Sequence, residues 1–458
     1  SDHKEYLTMK KIIAILIFGL LIVKAEAQGD IDALRYSNIP TLGTTARSLS
    51  LGGATGAMGA DASVTMTNPA GLAQYKSSQF SISLGTLANN TLSSLDDDSR
   101  AAYTFSGELP NVSAVFTKRK LNRGNPTKVG WVNSNFQLSY NRTANFNNSM
   151  RYETNSPNSS YSDYVASYSQ GLSSADLGLE SGRDINEFFY FENMFWYSYL
   201  IDSIADGQYG AVYDAENGLS SQRGKILTSG GAGEYTASFA ANFEHKFYVG
   251  AAINVHQVSY SELNEFEEID NPLTQGNWDN YQFSRHLETR GTGFSGRLGV
   301  IFRPNDNIRI GASLHTPKRL NLSDEYYDEL TVEEDTRERY TTRTIDKTSE
   351  YQVITPGIYA IQGVYVFGKK GLLSAEVESV NYATMNISND NDDFDQVNEE
   401  ILDKYKAATN IKLGAEYNMG SFRLRGGYAS IGNPLLEGGY SSNVLSGGFG
   451  FADARWAM

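Results

Sequence analysis

The chain has 458 residues, with 53 acidic against 38 basic, and its formal charge of -15 opposes binding to nucleic acid, whose phosphates demand a basic surface. Cysteine is absent, which excludes disulfides, thiolate metal sites, a cysteine nucleophile and a lipid-modified cysteine. Beyond its N-terminal region no apolar run approaches the ~20 residues of a spanning helix, so a membrane-integral mature chain has to be a barrel.

Ser1 to Thr8 read as an upstream extension. From Met9 the residues Lys10 and Lys11, the apolar run Ile12 to Val23 and the small-x-small site Ala25, Glu26, Ala27 spell a cleaved secretory signal. Residues 1–27 are therefore expected to be removed, and the mature protein exported. Residues 28–76 contain the glycine-rich stretch Gly43 to Tyr75, which has too little apolar bulk for a core of its own and must pack inside something else. Pro69 lacks an amide donor and pushes Asn68 toward extended or turn conformations, so the chain changes direction there.

Within that stretch, Ala46, Arg47 and Ser48 lead into Leu51, Gly52, Gly53 and Ala54. Asp61, Ala62 and Ser63 follow, and then Asn68, Pro69, Ala70, Gly71 and Leu72. In order and spacing these residues resemble the FadL/TodX outer-membrane transport proteins, in the branch of Bacteroidetes-like bacteria. The resemblance implies an all-β fold, a transmembrane antiparallel β-barrel of fourteen strands with an N-terminal hatch inside the lumen. It also implies that Asn68, Pro69, Ala70 and Gly71 lie at the gate.

After the hatch, period-two alternation marks twelve strands: Gln79 to Gly85, Val112 to Lys120, Lys128 to Asn141, Glu234 to Glu244, Phe247 to Glu265, Tyr281 to Arg303, Ile308 to Leu322, Tyr351 to Phe367, Leu372 to Ile387, Ala407 to Asn418, Ser421 to Ile431 and Asn443 to Phe451. Short turns, such as Pro304 to Asn307 and Gly368 to Gly371, alternate with long polar connectors such as Thr86 to Asn111, Ser149 to Gly233 and Ser388 to Lys406. Tight turns at one end and long loops at the other are the layout of an outer-membrane barrel. Parity agrees: Ile411, Leu413, Ala415 and Tyr417 share one face, and Lys412, Gly414 and Glu416 the other. Residues 77–458 are thus read as the barrel, truncated at its C-terminal end, because the alternation stops at Phe451 and twelve strands stand against the family's fourteen.

The longest connector holds Asp184 to Ala205, where Asp184 with Glu187 makes a capping signal ahead of Phe188, Phe189, Phe191, Phe195, Trp196, Tyr199 and Leu200. Such a helix either collects hydrophobic solutes at the outer surface or folds over the barrel mouth. Arg297, Arg309, Arg423 and Arg425 project to the predicted lumen, with Glu416 as counterion; they either meet the carboxylate of an amphipathic solute or pair internally. The candidate ligand-contacting residues are therefore Phe188, Phe191, Phe195, Trp196, Tyr199, Arg297, Arg423 and Arg425. His256 and His315 share the luminal parity without metal-ligand spacing, and the acidic clusters around Asp324, Glu333 and Asp390 do not follow a calcium-loop pattern, so no metal and no cofactor is expected. No nucleophile elbow, zinc motif or phosphate loop is present, and the chain does not read as an enzyme.

The expected function is transport of small hydrophobic or amphipathic compounds, of fatty-acid or aromatic-hydrocarbon type, across the bacterial outer membrane through a plugged barrel. The expected partners are outer-membrane lipid and a hydrophobic small molecule, with a protein partner possible at the extracellular loops and no nucleic acid. The alternative is a barrel that transports nothing and serves as scaffold or shuttle for protein secretion or surface attachment.

Overall fold

The computed structural model describes residues 29–37, 42–95, 98–122, 125–155, 157, 159–173, 177, 190–212, 219–270, 278–334, 338–344, 346–389 and 394–451. Its body is one antiparallel sheet of seventeen strands arranged as twelve successive staves. These are β1 (Gln79–Leu95), β2 (Asp98–Arg119), β5 (Trp131–Asn145) continued by β6 (Asn148–Asn155), β9 (Leu219–Phe243), β10 (Phe247–Asp270) and β11 (Asn280–Phe302) in the first half. The second half has β12 (Ile308–His315) with β13 (Arg319–Glu333), β16 (Ile358–Val366) with β15 (Lys347–Ile354), β17 (Gly371–Asn381) with β18 (Asn386–Ser388), β19 (Ala407–Met419), β20 (Phe422–Ile431) and β21 (Ser442–Phe451). A short β14 (Arg339–Arg343) pairs antiparallel with the end of β13 and continues the line of β15, while β3 (Leu121–Asn122) with β4 (Asn125–Pro126), and β7 (Ile201–Ala205) with β8 (Gln208–Ala211), form separate ribbons.

All twelve expected strands have a stave, but several expected loops are strand as well. β1 and β2 pair residue by residue up to Leu95 and Asp98, so most of Thr86 to Asn111 is an extended hairpin and not a connector. Likewise β9 begins at Leu219, inside the expected loop, and pairs with β10 along its length. Two long strands are broken, at Thr316, Pro317 and Lys318 and at Thr355, Pro356 and Gly357, because each proline lacks a ladder donor. The helix expected over Asp184 to Ala205 spans Tyr190–Tyr197, and Ile201–Ala205 is strand β7.

The staves carry their apolar residues outside. In β19 exposed Ile411, Leu413 and Tyr417 alternate with buried Lys412 and Glu416, the inverse of a water-soluble sheet. On β10 the outward apolar residues run from Phe247 through Val249 and Ile253 to Val255, after which Glu265 and Glu267 take the same face. That stretch is about 27 Å of strand, or roughly 20 Å of height at barrel tilt, close to the ~25 Å apolar band of an outer-membrane protein. Next to the short turns the band is edged by aromatic pairs, Trp131 with Phe243, Phe247 with Phe302 and Phe422 with Phe451, at ring separations of 5.4, 4.8 and 5.4 Å.

The sheet curls around the glycine-rich segment. Residues 42–75 hold the helix Ala46–Ser50 and the 3-10 turns Val64–Met66 and Pro69–Gln74, and they touch β5, β10, β11, β12, β16, β17, β19, β20 and β21 through the contacts given below. An element this small meets that many staves only if the sheet wraps it. The wrap stops short of closure: β1 pairs only with β2 and β21 only with β20 among the described residues, and the two edges do not pair with each other. The fourteen-strand closed barrel implied by the resemblance is thus present as twelve staves with one open seam.

Candidate functional site

The interior is layered. In the lowest layer Asn68 is fully buried; its Nδ2 donates to Val300 O (3.3 Å), Ala312 O (3.3 Å) and Gln362 Oε1 (3.1 Å), and its Oδ1 accepts from Ala70 N (3.0 Å). Pro69 begins the 3-10 turn that Asn68 caps. The turn lies in a slot of wall glycines: a Cβ on Gly299 would stand 1.9 Å from Asn68 Oδ1, and one on Gly250 would stand 2.4 Å from the Pro69 carbonyl carbon. Across the sheet, Gly427 leaves equally little room beside Leu51 and Gly52, whose N–H donates to Ser446 Oγ. Between these anchors Asn133 and Asn135 donate to Ala73, Leu72 and Tyr75 carbonyls, Gln137 to Ala62 O, Glu376 accepts from Gly56 N, and Arg309 donates to Met58 O and Gln74 Oε1. The segment is tied down on nearly every side.

Above it lies a charged layer. Arg297 forms a two-pronged pair with Glu234, both contacts 2.7 Å, and His256 sits against Ser295 Oγ at 2.7 Å. Lys412 bridges Glu376 and Glu378; nearer the short turns, below the Leu51 and Gly52 contact, Arg425 and Arg47 share Glu416 at 2.8 and 3.1 Å. His315 Nε2 donates to Thr67 O at 2.8 Å. Lys318 has no carboxylate within ion-pair distance among the described residues, and Arg297 Nε is buried without a partner. Both line a largely enclosed cavity of about 50 Å³ that also meets Met66, Ser37, Glu234 and Glu378, room for a few waters.

The third layer closes the mouth. Helix α1 (Asp30–Ser37) buries Ala33 and Tyr36 in an apolar ring formed by Val258, Leu320, Leu322, Tyr351, Val353 and Val380 of the wall and Ile401 of a rim helix (Asp395–Lys404). Its Arg35 lies 4.2 Å over the Tyr260 ring and pairs with Asp32, whose carboxyl burial holds above the usual range. Ser37, at the lower end, reaches the charged cavity, so the negative end of the helix dipole faces Lys318 and Arg297.

The outermost layer is an aromatic cap. Ser160 caps the helix Tyr161–Tyr168, which packs with the helix Tyr190–Tyr197 and the β7–β8 ribbon on the tops of β10, β11 and β13. At its base Glu268, fully buried, accepts from Ser160 Oγ and Tyr161 N, each at 2.6 Å, and from Gln222 and Tyr281. Burial holds its carboxyl above the ordinary range, and burial pushes the Tyr281 hydroxyl well up too.

Phe195 is fully buried in the cap core, with Phe191 and Trp196 packed partly against it, so these rings build the cap and are not an exposed collecting surface. Among the described candidate rings it is Tyr199 that projects, 68% exposed at a positive φ of 53°. Phe188 falls outside the described residues, as do Asp184 and Glu187. Arg297 lies in the charged layer and Arg425 below it, beside Arg47, and each holds a buried carboxylate; half-buried Arg423 lies two residues further toward the short turn that joins β19 and β20. Sequence reading missed Lys318, which sits in a Thr-Pro-Lys break, and α1, whose eight residues lie in the expected hatch ahead of the glycine-rich stretch and carry no motif. Asp324 bonds Tyr351 and Asp328 pairs with Arg285, and no group of three metal-ligating side chains occurs among the described residues.

No family model matches the chain, and no curated protein matches it. Among solved structures it is similar to the toluene transporter TbuX of Ralstonia pickettii, at 14% identity and TM-score 0.46 over 91% of each chain. The toluene transporter TodX of Pseudomonas putida gives 14% and 0.49 over 90% of each. A FadL homologue of Pseudomonas aeruginosa gives 12% and 0.48 over 89% of this chain and 86% of the other.

Proposed function

We propose that this chain is an exported, outer-membrane β-barrel that takes up small hydrophobic or amphipathic compounds, with residues 28–76 as its hatch and Asn68 to Gly71 as the hatch's anchor. The observation that carries this reading is the stopper: an apolar ring at the mouth, above a charged layer in which Lys318 has no ion-paired carboxylate among the described residues, is filled by a single short helix. Eight residues are too few to hold helix unaided, so α1 stays only while the ring grips Ala33 and Tyr36. An apolar solute offers the ring the same burial, and an acidic head group offers Lys318 the negative charge that the helix end now supplies. The apolar belt supports the membrane setting, since sheets with apolar exteriors and charged interiors suit lipid and not water.

The filled interior also supports the second reading, a barrel that transports nothing and serves protein partners, because the enclosed cavity is far too small for a hydrocarbon while α1 is seated. Native mass spectrometry of the detergent-extracted protein separates the two. Transport predicts a co-purifying lipid or hydrocarbon whose occupancy rises when Tyr36→Ala loosens the stopper. An empty protein in both forms, carrying a protein partner instead, overturns it.

A further inference from the structure

The stopper has a latch, and the latch has a greasy lip. Asp30, the first residue of α1, accepts a hydrogen bond from Tyr405 OH at 2.8 Å and pairs with Lys404 Nζ at 3.3 Å. Among the described residues these are the polar links between α1 and the rim helix Asp395–Lys404, which is called α5 below; α2 (Ala46–Ser50), α3 (Tyr161–Tyr168) and α4 (Tyr190–Tyr197) precede it in the chain. α5 itself is firmly placed. Asn398 bonds both the N–H and the C=O of Ile387, at 2.9 and 2.8 Å, and the Lys404 carbonyl accepts from Leu436 N at 2.8 Å. Asp30 therefore ties a weakly held helix to a fixed rim. Beside the latch stand two aliphatic side chains that the fold does not bury: Ile31 next to Asp30, and Leu436, whose N–H bonds the Lys404 carbonyl, at 55% and 48% exposure. The apolar ring lies immediately inside, since Ile401 and Tyr405 belong to the same cluster as Ala33 and Tyr36 and Leu435 packs against it.

We propose that Ile31 and Leu436 form the entry site for an apolar solute, and that Asp30, through Tyr405 and Lys404, latches α1 until a solute arrives there. The proposal rests on the stopper reading above and adds the route, which runs over α5 and not over the aromatic cap. An apolar molecule on the lip lowers the local dielectric and competes with Tyr405 for the ring. The latch charge then has to be released to water or held at higher cost, and α1 swings free of the mouth.

The absence of cysteine makes the test clean. In the full chain carrying Asp30→Cys and Lys404→Cys, a short reducible bis-thiosulfonate locks α1 to α5, and binding of the apolar dye N-phenyl-1-naphthylamine is followed by fluorescence. The locked protein should take up dye at least tenfold more slowly than the same protein after reduction. Ile31→Ser with Leu436→Ser should slow uptake several-fold without changing the final level, and Asp30→Asn with Tyr405→Phe should speed it. Equal rates in locked and reduced protein, with Tyr36→Ala still raising uptake, overturn the latch and leave the stopper standing. No uptake in any variant, Tyr36→Ala included, overturns both.

Discussion

Replacing Asn68 by alanine should undock the glycine-rich segment without unfolding the wall. The substitution removes an N-cap, a loss of about 1 kcal/mol. It also strips Gln362 Oε1 of its donor in a buried site, at about 1–3 kcal/mol, while the two 3.3 Å bonds to strand carbonyls add little. The sum is about 3 kcal/mol, which raises the undocked population roughly 100- to 200-fold at about 1.4 kcal/mol per tenfold. Native-state hydrogen exchange reads this at the amides of Met66 and Tyr75, which bond within the segment and not to the substituted side chain. Gly299→Ala should produce the same phenotype by a different cause, its Cβ meeting Asn68 Oδ1 at 1.9 Å. In the double variant that clash is gone, so the two costs should fall short of additivity by about 1–3 kcal/mol, with Pro69 Cδ the remaining close neighbour. Exchange at Met66 and Tyr75 unchanged by Asn68→Ala, or strictly additive costs, would refute the docking geometry.

Removing one partner of the Arg297–Glu234 pair should be far worse than removing both: Arg297→Leu leaves a buried carboxylate and should cost about 3–5 kcal/mol, whereas Arg297→Leu with Glu234→Leu should recover most of it, read as melting temperature in detergent. Phe195→Ala should cost about 3–5 kcal/mol of cap stability, seen as proteolysis within Tyr161–Tyr197 while the staves stay protected. Glu268 gives the cap a pH dependence. Its folded pKa is raised by burial, so the folded cap binds the proton more tightly than the unfolded chain; the associated stability is present in full below the ordinary carboxylate range and is lost as pH rises through the folded value. Exchange at the Tyr161–Tyr168 amides should therefore show more protection at pH 5 than at pH 7.5 after correction for intrinsic rates, and Glu268→Gln should flatten the difference; protection that grows with pH contradicts the assignment.

The twelve staves were legible because inverted alternation is written residue by residue, as in Ile411 to Tyr417. What hid the strand extensions is that above the belt neither face is apolar. Ser93, Ser94, Ser99 and Arg100 pair in register yet carry no period-two signal. The glycine-rich segment was recognisable from its composition, but its reason lies partly in residues far away, since Gly250, Gly299 and Gly427 are glycines on account of Pro69, Asn68 and Leu51. Local pattern left two readings of the aromatic run Phe191 to Trp196, because a helix buried by its neighbours and one that offers its rings to a ligand have the same sequence. It missed the latch for a related reason: Asp30 and Tyr405 meet only through the fold, and neither position is marked by spacing or composition.

The anchors of the glycine-rich segment also dictate an order of events in assembly. Gly52 bonds Ser446, Arg47 reaches Glu416 and Asn68 reaches Gln362, partners 394, 369 and 294 residues further along. Because each such contact waits on the closure of almost the whole intervening chain, the part translated first is fixed last. Until β20 and β21 arrive, the segment has part of its berth missing and too little apolar bulk to collapse by itself, so it must stay unfolded while the strands that will hold it are already pairing.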